Sequence, residues 1–268
     1  MSIGTTNIGG ISVSKLILGG NPFSGVSHLG IDLEMKLYYT TQRIKEHFKQ
    51  AEQLGITTFI GRCDNHITRV LLEYWDEGGT IQWIAQSCPE RANFAQTMKN
   101  AVQAGAKACF VHGGHIDSLY ANNKTDEIPD LIKALKDLGV PAGIAGHNPK
   151  VFDWAEEKLN TDFYMCCYYN PIDRAKRADY IPGTSEKYMD EDREVMLNTI
   201  SKIKRPVIHY KVLAAGRKDP IEAFEYACKH LKPKDAICFG VYTKNKPNMI
   251  KEDVEIFLKA HNRKENKT

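Results

Sequence analysis

The chain has 268 residues, 42% of them hydrophobic and 26% charged, with a formal net charge of +3; it is expected to be a single domain over 1–268, with no apolar run near the ~18 residues that a membrane span requires. Its lysines are scattered rather than gathered in a stripe, which argues against nucleic acid as a partner. Seven cysteines, at 63, 88, 109, 166, 167, 228 and 238, form no C-x-x-C pair, and the start "MSIGTTNIGG" lacks the regions of a signal peptide; a cytoplasmic protein with reduced, buried thiols is the expectation.

Short β-rich runs alternate with amphipathic helical stretches along the chain. The predicted strands are "KLILG" (15–19), "TTFIG" (57–61), "IQWIAQ" (81–86), "ACFVH" (108–112), "PAGIAG" (141–146), "DFYMCC" (162–167), "PVIHY" (206–210) and "AICFG" (236–240). Helices lie between them, such as "TQRIKEHFKQAEQLG", where Ile44, Phe48, Ala51 and Leu54 recur at helical spacing before a glycine stop. Eight such pairs in this length predict an α/β fold of the (β/α)8 TIM-barrel type. A doubly wound open sheet is the runner-up, and no G-x-G-x-x-G opens a helix to support it. The longest irregular piece, 170–190, carries Arg174, Lys176 and Arg177; a solvated loop is favoured there over an anion-binding one.

In barrels of this type the active site lies at the carboxyl ends of the strands. The first two ends carry Asn21, Arg62, Asp64 and His66, the fourth and fifth His112, His115, Asp117, His147 and Asn148, and the later ones Asn170, His209, Tyr210, Lys211, Thr243 and Lys244. Five of nine histidines fall at these ends, which suggests acid/base chemistry or metal ligation rather than loop packing. A divalent metal held by His112, His147 and His209 with Asp64 is the minor alternative, since none belongs to a compact ligand motif. Strand parity leaves one choice open: His209 and Tyr210 cannot both face inward. The loops "AAGRKDP" and "GVYTKNKP" stand where barrels often hold a phosphate, and Asp117 is expected to cap the segment after it.

Several stretches resemble the aldo-keto reductases. "ISVSKLILGGNPFSG" is similar to that family's first strand, "GITTFI" to its second, and "YYNPIDR", "YKVLAAGR" and "FGVYTKNKPNMIKEDVEIF" to later motifs, while "CFVHGGH" places His112 at the family's catalytic histidine. The resemblance implies NADPH-dependent carbonyl reduction by an Asp, Tyr, Lys and His set, but the other three positions read Ile60, Asn65 or His66, and Gln86 or Ser87. Tyr210 matches the aromatic on which a nicotinamide stacks, Asn148 half of the pair that holds its carboxamide, and Thr243 and Lys244 are the remaining cofactor-binding expectation.

With most of that set missing, the favoured reading is non-redox lyase, isomerase or hydrolase chemistry on a polar small molecule such as a sugar or sugar phosphate. His112 is the expected acid/base, assisted by His147 and by Asp64, His66 or Arg62, with His209 a further candidate. Asn21, Asn148, Asn170 and Lys211 are the expected substrate contacts. An NADP-dependent oxidoreductase with an altered set is the alternative, and a catalytically inactive binding barrel the third reading. Substrate, metal and homo-oligomeric state are left open.

Overall fold

A computed structural model of the chain describes residues 2–170 and 187–265. Arg174, Lys176 and Arg177 of the long irregular piece lie outside them. The described chain begins with a hairpin, β1 (Thr5–Ile8) and β2 (Ile11–Ser14), turned by Gly9 and Gly10 at φ +58° and +99°. Two successive left-handed residues suit glycine and match the twist of the flanking strands. Gly10 donates its N–H to Asn7 Oδ1 at 2.9 Å, which fixes the turn.

Eight parallel strands come next: β3 (Leu16–Gly19), β4 (Thr58–Arg62), β5 (Gln82–Gln86), β6 (Ala108–Val111), β7 (Ala142–Gly146), β8 (Phe163–Cys167), β9 (Val207–Tyr210) and β10 (Ala236–Gly240). They close into a barrel in chain order, with β10 paired to β3. Every predicted strand is present, within one residue at either end. Around them lie α1 (Asp32–Tyr38), α2 (Thr41–Gln53), α3 (Asn65–Asp76), α4 (Phe94–Gln103), α5 (Gly113–Ala121), α6 (Ile128–Lys136), α7 (Pro149–Lys158), α8 (Asp190–Lys202), α9 (Pro220–His230) and α10 (Met249–Glu265). Among the described residues no helix is long and apolar enough to cross a membrane.

Alternation along the strands divides the core in two. Ile17, Ile60, Ile84, Phe110, Phe163, Met165 and Ile208 fill the barrel, and the hairpin's Ile8, Ile11 and Val13 pack against this interior cluster. The intervening Leu18, Phe59, Trp83, Val111, Ile144, Tyr164 and Val207 pack against the helices. Each such side chain contributes roughly 1.5–3 kcal/mol on leaving water, so parity is enforced strongly. Continued to the carboxyl ends, the inward parity reaches Arg62, Gln86, His112, His147 and Tyr210. All seven cysteines are free and buried, as their scatter predicted.

Candidate functional site

One polar group on the rim joins β6, β7 and β9. His112 lies directly after β6 and is the N-cap residue of α5, so the glycine pair in "HGGH" opens a helix rather than a loop. Along α5 the buried positions Gly113, Ile116 and Asp117 share one face. That spacing points Asp117, 1% exposed, at the sheet. A carboxylate buried this deeply needs donors. It finds them at the end of β7: Oδ2 takes His147 Nδ1–H at 2.8 Å, the backbone N–H of His147 lies at 3.1 and 3.2 Å, and that of Asn148 at 3.2 Å.

This cradle fixes the His147 tautomer. With Nδ1 donating to the carboxylate, a neutral ring carries its lone pair on Nε2. Nε2 lies 3.4 Å from the Tyr210 hydroxyl, which is also 3.3 Å from the Gly146 carbonyl oxygen. The two rings meet edge-on, with centroids 5.8 Å apart. Gly113 lets α5 come this close, because a Cβ there would stand 3.1 Å from Gly146 N and 3.2 Å from the Tyr210 hydroxyl. The result is a chain of side chains, Asp117 to His147 to Tyr210, running from the helix layer to the barrel mouth.

Packing settles the choice that strand parity leaves on β9. Tyr210 packs with the interior cluster, and His209 turns into the helix layer, fully buried, between the Tyr168 hydroxyl at 2.9 Å and Asp235 Oδ2 at 3.2 Å. His209, expected among the catalytic residues, thus lies away from the barrel interior, its ring joining β8 and β9 to the segment before β10. The grouping of His112, His147, His209 and Asp64 around a metal is not formed, and among the described residues no three His, Cys, Asp or Glu side chains are grouped to hold one.

At the end of β4, Arg62 and Asp64 do come together, with Nε to Oδ2 at 3.4 Å, and Arg62 also pairs with Glu90. Asp64 is the N-cap of α3, its Oδ1 accepting the Ile67 N–H at 2.9 Å, so a helix terminus holds its carboxylate in place. His66 stands exposed in the first turn of α3. His112 is half-buried, its backbone N–H bonded to Ser87 Oγ at 2.9 Å. Burial lowers the pKa of His115, in the first turn of α5.

Of the expected substrate contacts, Asn148 caps α7 through Oδ1, which accepts the Lys150 N–H at 3.1 Å. Asn170 is half-buried, its N–H held by Asp192 at 3.2 Å, and Asn21 is half-buried ahead of the turn Pro22–Ser24. Lys211 takes the left-handed conformation, φ +58°, directly after Tyr210; a residue with a Cβ is seldom held so, and such strain gathers at functional rims.

Thr243 and Lys244, expected at a phosphate of the cofactor, carry contacts within the chain. Thr243 is buried, its Oγ1 2.7 Å from His47 Nε2 and 3.0 Å from the Tyr38 hydroxyl, and Lys244 pairs with Glu34 at 2.9 Å. Ile60 fills the barrel interior where the family has its aspartate, and Ser87 Oγ is bound to the His112 N–H. Tyr210 and Asn148 stand at the ends of β9 and β7, the Tyr210 hydroxyl 3.4 Å from His147 Nε2 and Asn148 capping α7.

Sequence reasoning missed the role of Asp117. Its signal was a carboxylate on the apolar face of a helix, legible only once α5 is taken to start at Gly113.

No protein-family model matches the sequence, and no curated protein matches it. Solved structures do. A putative aldo-keto reductase from Pseudomonas aeruginosa superposes with a TM-score of 0.64 at 15% identity, covering 96% of this chain and 94% of that one. An aldo-keto reductase from Bacillus halodurans in its holo form gives 0.61 at 13%, covering 98% and 96%. A truncated 3-deoxy-D-arabino-heptulosonate 7-phosphate synthase from Thermotoga maritima gives 0.55 at 12%, covering 96% and 91%. Together with the closed barrel, these likenesses show that the chain has an aldo-keto reductase-like (β/α)8 fold.

Proposed function

We propose that the chain is a proton-transfer enzyme acting on a small polar molecule of the sugar or sugar-phosphate class. The observation that carries this reading is the Asp117 cradle, which holds His147 with Nε2 directed at the Tyr210 hydroxyl. A general base needs a fixed lone pair, and imidazole oriented by a buried carboxylate supplies one. In this reading His147 takes a proton through Tyr210 or directly, Asp117 stabilises the imidazolium, and the Arg62 guanidinium steadies negative charge developing on the substrate. His112, one strand away, is the second acid/base group. The polar character of the inward positions Arg62, Gln86 and His112 supports a hydroxyl-rich substrate.

The test is solvent exchange. Sugars and sugar phosphates incubated with the protein in D2O and followed by NMR are expected to take up deuterium at the carbon beside the carbonyl. In His147→Gln the rate is expected to fall by about 10²–10⁴-fold. Oxidation of NADPH by a carbonyl compound, with no deuterium incorporation across the panel, would replace this reading with the oxidoreductase one.

A further inference from the structure

Two thiols lie behind the rim at the ends of β4 and β5, on the helix side of the barrel. Cys63 Sγ stands 3.9 Å from Cys88 Sγ and donates to it, and 3.7 Å from Met98 Sδ. The backbone brings them together, because the Cys63 N–H bonds the Gln86 carbonyl at 2.9 Å and continues the β4–β5 pairing. A disulfide needs ~2.05 Å between sulfurs and can join Cα atoms ~4.4–6.8 Å apart. Cys63 and Cys88 follow the last register pair, Arg62 with Gln86, by one and two residues, and closing the sulfur gap requires side-chain rotation with a backbone adjustment.

Their environments differ. The thiol of Cys63 donates to Cys88, and the guanidinium groups of Arg62 and Arg91 add positive potential, so against burial and the Asp64 carboxylate the Cys88 thiol is lowered to about 7. Cys63 is pushed upward by its bond to Cys88 and by burial. A thiolate beside a protonated thiol and two arginines is the arrangement of an attacking sulfur with its resolving partner. The other cysteines whose shifts are resolved, 109, 166, 228 and 238, are raised by burial.

We propose that Cys63 and Cys88 form a reversible oxidation site whose co-reactant is a peroxide. The Cys88 thiolate attacks one peroxide oxygen, the O–O bond breaks, and hydroxide leaves, giving a sulfenic acid on Cys88. The Cys63 sulfur then attacks the Cys88 sulfur; an S–S bond forms, the S–O bond breaks, and water leaves with the Cys63 proton. The peroxide gains two electrons and the two cysteines lose them. A dithiol returns the pair to its reduced state by thiol–disulfide exchange. The bond would tie together the segment that carries Arg62 and Asp64 and the one in which Ser87 holds the His112 N–H.

The full chain is treated with hydrogen peroxide under native conditions, quenched, denatured, and its remaining thiols alkylated and counted by mass spectrometry. Two of the seven thiols are expected to be lost, a non-reducing peptide map to join Cys63 to Cys88, and dithiothreitol to restore all seven. In Cys63→Ser, Cys88 is expected to be trapped by dimedone as the sulfenic acid; in Cys88→Ser, Cys63 is expected to stay a thiol. Seven alkylated thiols after peroxide, or Cys88 carrying oxygen beside a free Cys63 in the unmodified chain, would overturn the proposal. The wild-type thiol count decides even if a variant fails to fold, and it does not depend on the proton-transfer reading.

Discussion

Asp117 decides what His147 can be. Its two carboxylate oxygens meet three donors, the His147 N–H, the Asn148 N–H and His147 Nδ1–H. In Asp117→Asn the amide offers one acceptor oxygen and a nitrogen that donates, so at least one of those donors meets another donor. The buried mismatch is expected to cost about 1–3 kcal/mol, read as a lower midpoint in urea. If the amide nitrogen turns to Nδ1, the ring must carry its proton on Nε2, the wrong tautomer for accepting one. Deuterium incorporation is therefore expected to fall by about 10²-fold or more in a chain that still folds. Folded protein with unchanged exchange would show that Asp117 serves α5 and β7 only. No residue pattern in "CFVHGGHID" distinguishes these roles, because the partner of Asp117 lies 30 residues on, across a strand pairing.

At the scale of elements, the strands were legible because burial leaves them little choice. β6 through β9 are apolar runs bounded by polar or turn residues, and parallel strands covered on both faces read this way. α5 was not legible: two glycines and a histidine at its start are weak helix formers, and tertiary contact holds it instead. Gly113 is the position on which this turns. In Gly113→Ala the added methyl meets the Gly146 backbone nitrogen at 3.1 Å, the Tyr210 hydroxyl at 3.2 Å and Ala145 C at 3.3 Å. The substitution gains helix propensity of up to ~1 kcal/mol, but two of the neighbours are backbone of a barrel strand, which cannot give way cheaply. A net loss of about 1–2 kcal/mol is expected, seen as a lower melting temperature, and Tyr210 moves away from His147, so exchange slows as well. A melting temperature at or above that of the unmodified chain would mean that α5 slides on the sheet, and that its close approach is not what sets the Asp117 to Tyr210 chain. Parity was equally legible on β9 as a choice between two residues, and only the packing of Tyr210 inside the barrel resolved it.

For the whole molecule, stability against pH reports a buried carboxylate on α10. Asp253, on α10, is 3% exposed. Burial raises its carboxyl from 3.8 to about 7, with Glu252 adding to the rise and Lys246 opposing it. In the unfolded chain the group ionises near 3.8, so between that value and about 7 the folded state keeps a proton that the unfolded state has lost. Stability accordingly falls as pH rises through this window, and the full cost is present above it. A shift of this size corresponds to a few kcal/mol, at about 1.4 kcal/mol per pH unit. Asp253→Asn cannot ionise and keeps nearly the same shape, so it is expected to raise the melting temperature by several degrees at about pH 8 and by little at about pH 4. For a chain of this size about 1 kcal/mol moves the midpoint by roughly 2–4 °C, which scanning calorimetry at the two pH values resolves. An equal gain at both would assign the effect to packing rather than charge, and no gain at the higher pH would show that the folded chain solvates the carboxylate by opening the end of α10.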